Sequence, residues 1–298
     1  MFDVDYIRPA GLKEAVAFLD EHGQDTTILA GGTDVMVDMR SGDLQSKYLL
    51  DVSRLPELKK VAVTGDGLII GACVTISEIH FSETIGRLAP ALCKAADKFA
   101  SRQVRNIATI GGNVAHCSPC GDTIPPLLIH DANAVVVSPD GERKVPIEAM
   151  AGGPYHCTLS NNEVITHFIL KPIPKNVGFC DFQKIGRRKE LAISRISMAA
   201  MAQQKSDKSV SFIRFALGSC TPTPHRFRQI EDFIIGKIPD EETLWEAGRI
   251  LTEQMFDITG RRSSAIYKEP AIQGLFMRLM YPLVESASRR GSKETRKL

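Results

Sequence analysis

Two pairs of consecutive glycines carry the clearest chemical signal in this sequence. The first lies in Ile28-Leu29-Ala30-Gly31-Gly32-Thr33-Asp34-Val35, directly after a β-branched, apolar run. Adjacent glycines free the backbone to take positive φ and let a ligand approach with no Cβ in the way. Their N–H groups, with that of Thr33, suit an anion, because convergent amides at a helix start form a nest for negative charge. The plainer alternative is a tight strand-to-helix turn with Asp34 as the helix cap. The second pair lies in Thr109-Ile110-Gly111-Gly112-Asn113 and leads to Ser118-Pro119-Cys120-Gly121-Asp122-Thr123. Asn113 offers a short amide to a ligand or to its own backbone. Asp122 suits a ribose hydroxyl pair, as acidic residues do in dinucleotide sites, or the cap of a helix opening near Thr123. Two separate diglycine segments point to a ligand with two phosphates, approached by backbone from two sides.

Several other chemistries lack their residues. Neither segment reads G-x-G-x-x-G, and no G-K-[ST] follows, so a Rossmann site and a P-loop are both excluded. Serine-nucleophile chemistry has no G-x-S-x-G elbow. Cys117-Ser118-Pro119-Cys120 has C-x-x-C spacing, but a structural zinc needs four ligands and no second ligand pair accompanies it. The expectation is two small residues lining a pocket, and no metal. His80, His130 and His167 lie in apolar runs and read as core histidines. Lys184, Arg187, Arg188 and Lys189 crowd a strand end. They form either a solvated edge or a cleft in which Lys184 faces an anionic ring.

Composition bounds the function from another side. Of 298 residues, 43% are hydrophobic and 24% charged, an ordinary globular balance of about two domains by length. The net charge of +2 is concentrated at the end, where Arg289, Arg290, Lys293, Arg296 and Lys297 face only Glu294. The body without that tail holds 32 basic against 34 acidic residues, which argues against binding a phosphate backbone. No run approaches the roughly 20 apolar residues that span a bilayer. The acidic start resembles no secretory signal, so a cytoplasmic protein is expected. Seven scattered cysteines read as reduced, small hydrophobes.

The elements that must hold these segments follow from periodicity. Apolar residues recur at i, i+3, i+4 and i+7 over 12–19, predicting a helix closed by Gly23. Residues 26–30 predict a strand, 35–40 a helix and 48–52 a strand. Hairpins are predicted where 61–64 and 68–74 flank Gly65-Asp66-Gly67, and where 134–138 and 144–147 flank Pro139-Asp140-Gly141. Helices are read at 76–85 and 90–100, and a further strand at 163–170. Pro172 and Pro174 mark a linker. Beyond it, 179–185, 192–204 and 211–219 predict a three-stranded antiparallel sheet, and 231–235, 243–255 and 271–286 predict helices. The class is α+β. The chain divides as 1–57, 58–174, 175–286 and a basic tail, 287–298.

Together these segments resemble the FAD-binding medium subunit of the molybdenum hydroxylases, the xanthine dehydrogenase / carbon monoxide dehydrogenase family. Ala30-Gly31-Gly32-Thr33-Asp34 is similar to that family's first FAD pyrophosphate loop. Arg105-Asn106-Ile107-Ala108-Thr109-Ile110-Gly111-Gly112-Asn113, with Ser118-Pro119-x-Gly121-Asp122, is similar to its second. The likeness continues through 182–193 and 262–268. It implies a two-subdomain FAD-binding fold of the PCMH type, followed by a C-terminal α+β domain with the three-stranded antiparallel sheet and helices. By the resemblance, Ile28, Leu29, Ala30, Gly31, Gly32, Thr33, Asp34 and Val35 hold the pyrophosphate with Thr109, Ile110, Gly111, Gly112 and Asn113. Asp122 would hold the adenosine ribose, Ile165 would pack near the flavin and Lys184 would lie by the isoalloxazine. No side chain is expected to act as nucleophile or base. The implied partners are a small subunit with [2Fe-2S] clusters and a large subunit with molybdopterin. Electrons would pass from the clusters to FAD and on to NAD or another acceptor. His116, Cys117 and Cys120 depart from the small residues commoner at those positions. A stand-alone flavin-dependent oxidoreductase would turn over alone, and a non-catalytic nucleotide-binding module would be colourless.

Overall fold

A computed structural model describes residues 4–174, 177–188, 191–261 and 263–288. The tail cations from Arg289 onward, and Lys189 and Arg262, lie outside the described residues. The chain opens with β1 (Asp5–Ile7), α1 (Leu12–His22), β2 (Thr26–Leu29), α2 (Val35–Ser41) and β3 (Tyr48–Asp51). Its strands form a parallel sheet in the order β1-β3-β2. Periodicity finds all but β1, whose three residues are too few to show a pattern. Helix α1 turns Ala15, Val16 and Leu19 inward. They pack on Leu50, Val52, Leu55 and Leu58, but also on Cys73 and Val164 further along the chain. This first unit therefore completes its core only with the second.

The second unit holds β4 (Val61–Thr64), β5 (Gly67–Gly71), α3 (Ile76–Phe81), α4 (Glu83–Leu88), α5 (Pro90–Asp97), α6 (Arg102–Arg105), α7 (Ile110–Ala115) and α8 (Ile124–Ile129). It continues with β6 (Asn133–Ser138), β7 (Gly141–Pro146), β8 (Ala151–Gly153), β9 (His156–Cys157) and β10 (Val164–Leu170). Five strands make an antiparallel sheet in the order β4-β5-β10-β6-β7, and β8 pairs with β9 alone. The helix read over 76–85 is two helices, because Ser82 ends α3 and its hydroxyl accepts the N–H of Ile85 at 3.2 Å. Thr75 and Glu78 close a capping box at the start of α3, satisfying two N–H groups that the helix cannot. Periodicity does not reveal α7, since glycine and alanine give it no apolar stripe. Ile70, Phe168 and Val136 of the sheet meet Ile76, Ile79, Leu92 and Leu127 of the helices in one core.

The third unit holds β11 (Phe179–Gly186), β12 (Ser194–Gln204), β13 (Val210–Gly218), β14 (His225–Arg226), α9 (Arg228–Ile234), α10 (Glu241–Thr259) and α11 (Ala265–Ser288). The sheet is antiparallel in sequence order and has four strands rather than three. The extra one, β14, is only two residues long, below what a sequence pattern registers. Helix α11 starts ahead of Pro270 because the bond that proline forfeits reaches back only to exposed Ile266 in the first turn. Side chains alternate faces along a strand, and β12 uses both. Ile196, Met198, Ala200 and Ala202 pack with the helices, whereas Ala199 and Met201 pack into the core of the second unit. The C-terminal sheet is thus a shared wall. No helix among the described residues is long and apolar enough to cross a membrane.

Phe276 of α11 meets Phe215 of β13 edge-on, with ring centroids 5.3 Å apart, and neither ring is exposed. Phe276→Ala should cost about 3–5 kcal/mol by loss of burial and the cavity left behind. Phe81 is 71% exposed, and Phe81→Ala should stay within about 0.5 kcal/mol. Urea midpoints compare the two.

Candidate functional site

The two diglycine segments meet because neither brings a side chain to the contact. A Cβ on Gly31 would stand 2.1 Å from the carbonyl oxygen of Ile107, far inside van der Waals contact. Gly31 therefore lets the turn after β2 lie directly on the backbone that leads into α7. Gly111 does the same on its other side, where a Cβ would come within 2.7 Å of the Ala72 carbonyl oxygen. Backbone bonds fix the arrangement. Ile110 donates to Val74 at 3.1 Å, Gly111 to Ala72 at 2.8 Å, and Ile76 to Ala108 at 2.9 Å.

Between these segments opens a cavity of about 270 Å³. Small-molecule sites commonly measure about 300–1,000 Å³, so this one suits the middle of an extended ligand rather than all of it. Ile28, Ala30, Gly31, Gly32, Thr33, Asp34 and Val35 line one side, and Thr109, Gly111, Gly112 and Asn113 another. Ile165 lines it from β10, beside a register shift in that strand's pairing with β6.

The two segments differ in their free donors. In the second, the N–H groups of Ile110, Gly111, Gly112 and Asn113 all bond within the chain, two of them to the hydroxyl and carbonyl of Thr109. In the first, the backbone bonds of the described residues include none donated by Gly31, Gly32, Thr33, Asp34 or Val35. Such a run of unbonded N–H groups is uncommon unless water or a ligand takes them. Gly32 has φ +70°, the left-handed conformation glycine tolerates best. The cap reading of Asp34 does not hold, for its side chain makes no capping bond. Its carboxylate instead lies 3.8 Å from His116 Nε2. Asn113 accepts the Thr123 hydroxyl at 2.7 Å on its amide oxygen, which leaves the NH2 as a donor for a ligand.

Leu29, Ile110, Asp122 and Lys184 do not line this cavity. Leu29 ends β2, and Ile110 is fully buried in the core. Asp122 and Lys184 meet each other. Lys184 Nζ donates to Asp122 Oδ2 at 2.7 Å, and Ser194 donates to Asp122 Oδ1 at 2.5 Å. Asp122 is therefore no helix cap, and α8 begins after Thr123 with no side-chain cap. Burial pushes the Asp122 carboxyl up, against the opposing pull of Lys184 and Ser194. This buried pair joins the loop before α8 to β11 and β12, across the boundary between the second and third units.

Sequence reasoning missed Phe99, His116, Leu159 and Glu163, all of which face the cavity. Glu163 is held by Arg143 through two bonds of 2.5 and 2.7 Å. That guanidinium keeps its carboxyl below the usual carboxylate range. No motif marks Phe99, Leu159 or Glu163, whereas His116 lies within the second segment, three residues past Asn113. His130, read as a core histidine, is buried, and burial pushes its pKa down to about 4.

The chain matches known proteins along nearly its whole length. Residues 2–173 match the family described as FAD binding domain in molybdopterin dehydrogenase. Residues 182–283 match that described as CO dehydrogenase flavoprotein C-terminal domain. The chain is 31% identical over 290 residues to the xanthine dehydrogenase FAD-binding subunit of Escherichia coli O157:H7, covering 96% of this chain and 98% of that one. It is 30% identical over 290 residues to the nicotinate dehydrogenase FAD-subunit of Eubacterium barkeri, covering 96% and 97%. Its fold superposes with a TM-score of 0.87 on a chain of carbon monoxide dehydrogenase from Hydrogenophaga pseudoflava, at 28% identity, covering 94% and 98%. With one family model spanning more than half its length and relatives at this identity over nearly all of it, the chain belongs to the FAD-binding subunits of the molybdopterin dehydrogenases, oxidoreductase components of multi-subunit enzymes.

Proposed function

We propose that the cavity between the two diglycine segments holds the diphosphate of FAD, and that the chain relays electrons within a cytoplasmic heteromer. The carrying observation is the run of unbonded N–H groups from Gly31 to Val35 beside the Asn113 amide. Amides of this kind bind a diphosphate without a lysine or a metal. The second segment contributes the Asn113 amide rather than backbone donors, and Gly111 lets its backbone rest directly on Ala72. Ile28 and Ile165 supply apolar wall. Asp122 and Lys184, held as a pair at the edge of the third unit, are the groups suited to the ribose and to the isoalloxazine. We take the units to run over 1–57, 58–174 and 175–286, with a basic tail at 287–298.

Held by Gly31 to Val35 and Asn113, FAD would supply the redox chemistry, and the electrons would come from the [2Fe-2S] clusters of a small subunit and go to NAD or another acceptor. The substrate would be oxidised at molybdopterin in a large subunit. This chain's residues bind, orient and exclude water, and none of them needs to act as nucleophile or base. The relatives named for xanthine and nicotinate align along nearly the whole chain, and the structure named for carbon monoxide shares its fold, which supports placing substrate choice in another polypeptide.

Purified chain should be yellow and release FAD on denaturation. Gly31→Ala should weaken FAD binding at least tenfold, because Ile107 must move. Asn113→Asp, which keeps the shape but sets a carboxylate against phosphate, should do the same. Gly86→Ala, where a Cβ meets only Cys93 Sγ at 3.9 Å, should bind normally. Fluorescence titration of flavin-free protein measures all three, and full binding by Asn113→Asp would contradict the site. In a second test, NADH added anaerobically to the FAD-loaded chain should bleach the flavin absorbance. Bleaching by dithionite but not by NADH would point to a different acceptor.

A further inference from the structure

The cavity read as a diphosphate site has acid in its walls and neither lysine nor arginine. Among the described residues, Asp34 and Glu163 supply its carboxylates, and His116 is its one basic side chain. Carboxylates that face a diphosphate oppose its binding, because like charges in a partly desolvated site repel. Glu163 is already neutralised, since Arg143 holds its two oxygens at 2.5 and 2.7 Å. Asp34 has no such guanidinium. The Thr33 hydroxyl donates to its Oδ2 at 3.4 Å, and His116 Nε2 lies 3.8 Å from its Oδ1. That separation exceeds a hydrogen bond, so the pair interacts by charge.

The chain holds the imidazole in this position. His116 closes the C-terminal end of α7, where its N–H donates to the carbonyl of Gly112 at 3.0 Å. Its ring meets that of Tyr155 edge-on, with centroids 5.2 Å apart. Tyr155 is fixed in turn by its own N–H, which donates to the carbonyl of Cys117 at 2.9 Å. The ring thus stands in the wall of the second unit and faces a carboxylate of the first, beside the unbonded N–H groups of Gly31 to Val35.

We propose that His116, as its imidazolium, is a binding residue for the diphosphate and sets a positive charge between the Asp34 carboxylate and the phosphates. The role rests on the reading of the cavity as a diphosphate site. Histidine can carry that charge near neutral pH. The backbone amides and the Asn113 amide cannot take this part, since they are neutral donors. His116 therefore lets a turn that carries an acid accept an anion.

The test is a fluorescence titration of the flavin-free full chain with FAD, at neutral pH and low salt. His116→Gln keeps a donor and loses the charge, and it should weaken FAD binding about tenfold. In the D34N background the same change should cost no more than about threefold, because the carboxylate to be offset is gone. His116→Ala should follow the same pattern. Wild-type chain that binds no FAD would overturn the diphosphate reading, and the role of His116 with it. If wild type binds FAD and Gly31→Ala weakens it, two results overturn the role of His116 alone. One is full binding by His116→Gln, and the other is an equal loss with and without D34N.

Discussion

The site depends on one close approach, that of Gly31 to the carbonyl of Ile107. These residues are 76 positions apart, and a single methyl group between them would stand 2.1 Å from that oxygen. Because it is absent, the turn after β2 rests on the backbone entering α7. The first unit thereby gains one wall of a cavity whose other wall belongs to the second. The contact is supported from behind, since Cys73 and Val164 complete the core under α1. A ligand that takes up the donors of one wall and leans on the other would add to this closure rather than distort it.

The third unit bears on the site through a wall rather than a hinge. Strand β12 divides its side chains between two cores, and small residues such as Ala199 and Ala200 let both neighbours come close. The buried pair of Asp122 and Lys184 lies across this boundary, with Ser194 satisfying the other carboxylate oxygen. Burying two charges yields little net stability, whereas stranding one is costly. The pair therefore sets the position of the third unit more than it adds to its stability. Glu148 with Arg228, and Asp131 with Arg214 and Arg226, cross the same boundary.

Much of this was legible in the sequence, and the exceptions have physical causes. Helices with an apolar stripe and hairpins with glycine turns announced themselves, as did both diglycine segments. Helix α7 did not, because Gly111, Gly112 and Ala115 carry no periodicity. Strand β14 was too short, and Ser82 reads like any serine until its hydroxyl is seen capping α4. The cavity drew Ile28, Gly31, Gly32 and Asn113 from recognisable motifs, but Phe99, Leu159 and Glu163 from segments with no chemical signature. Cys117 and Cys120 read as small residues that line a pocket, yet neither lines this cavity. Nor could spacing tell that α7 already uses its own N–H groups while the first turn does not.

That last asymmetry offers the most direct measurement. Amide hydrogen exchange, followed with and without FAD on the flavin-free chain, reports which backbone donors a ligand takes up. New protection is expected at Gly31 to Val35, with little change at Ile110 to Asn113. Protection gained elsewhere, with the first turn exchanging as before, would contradict it.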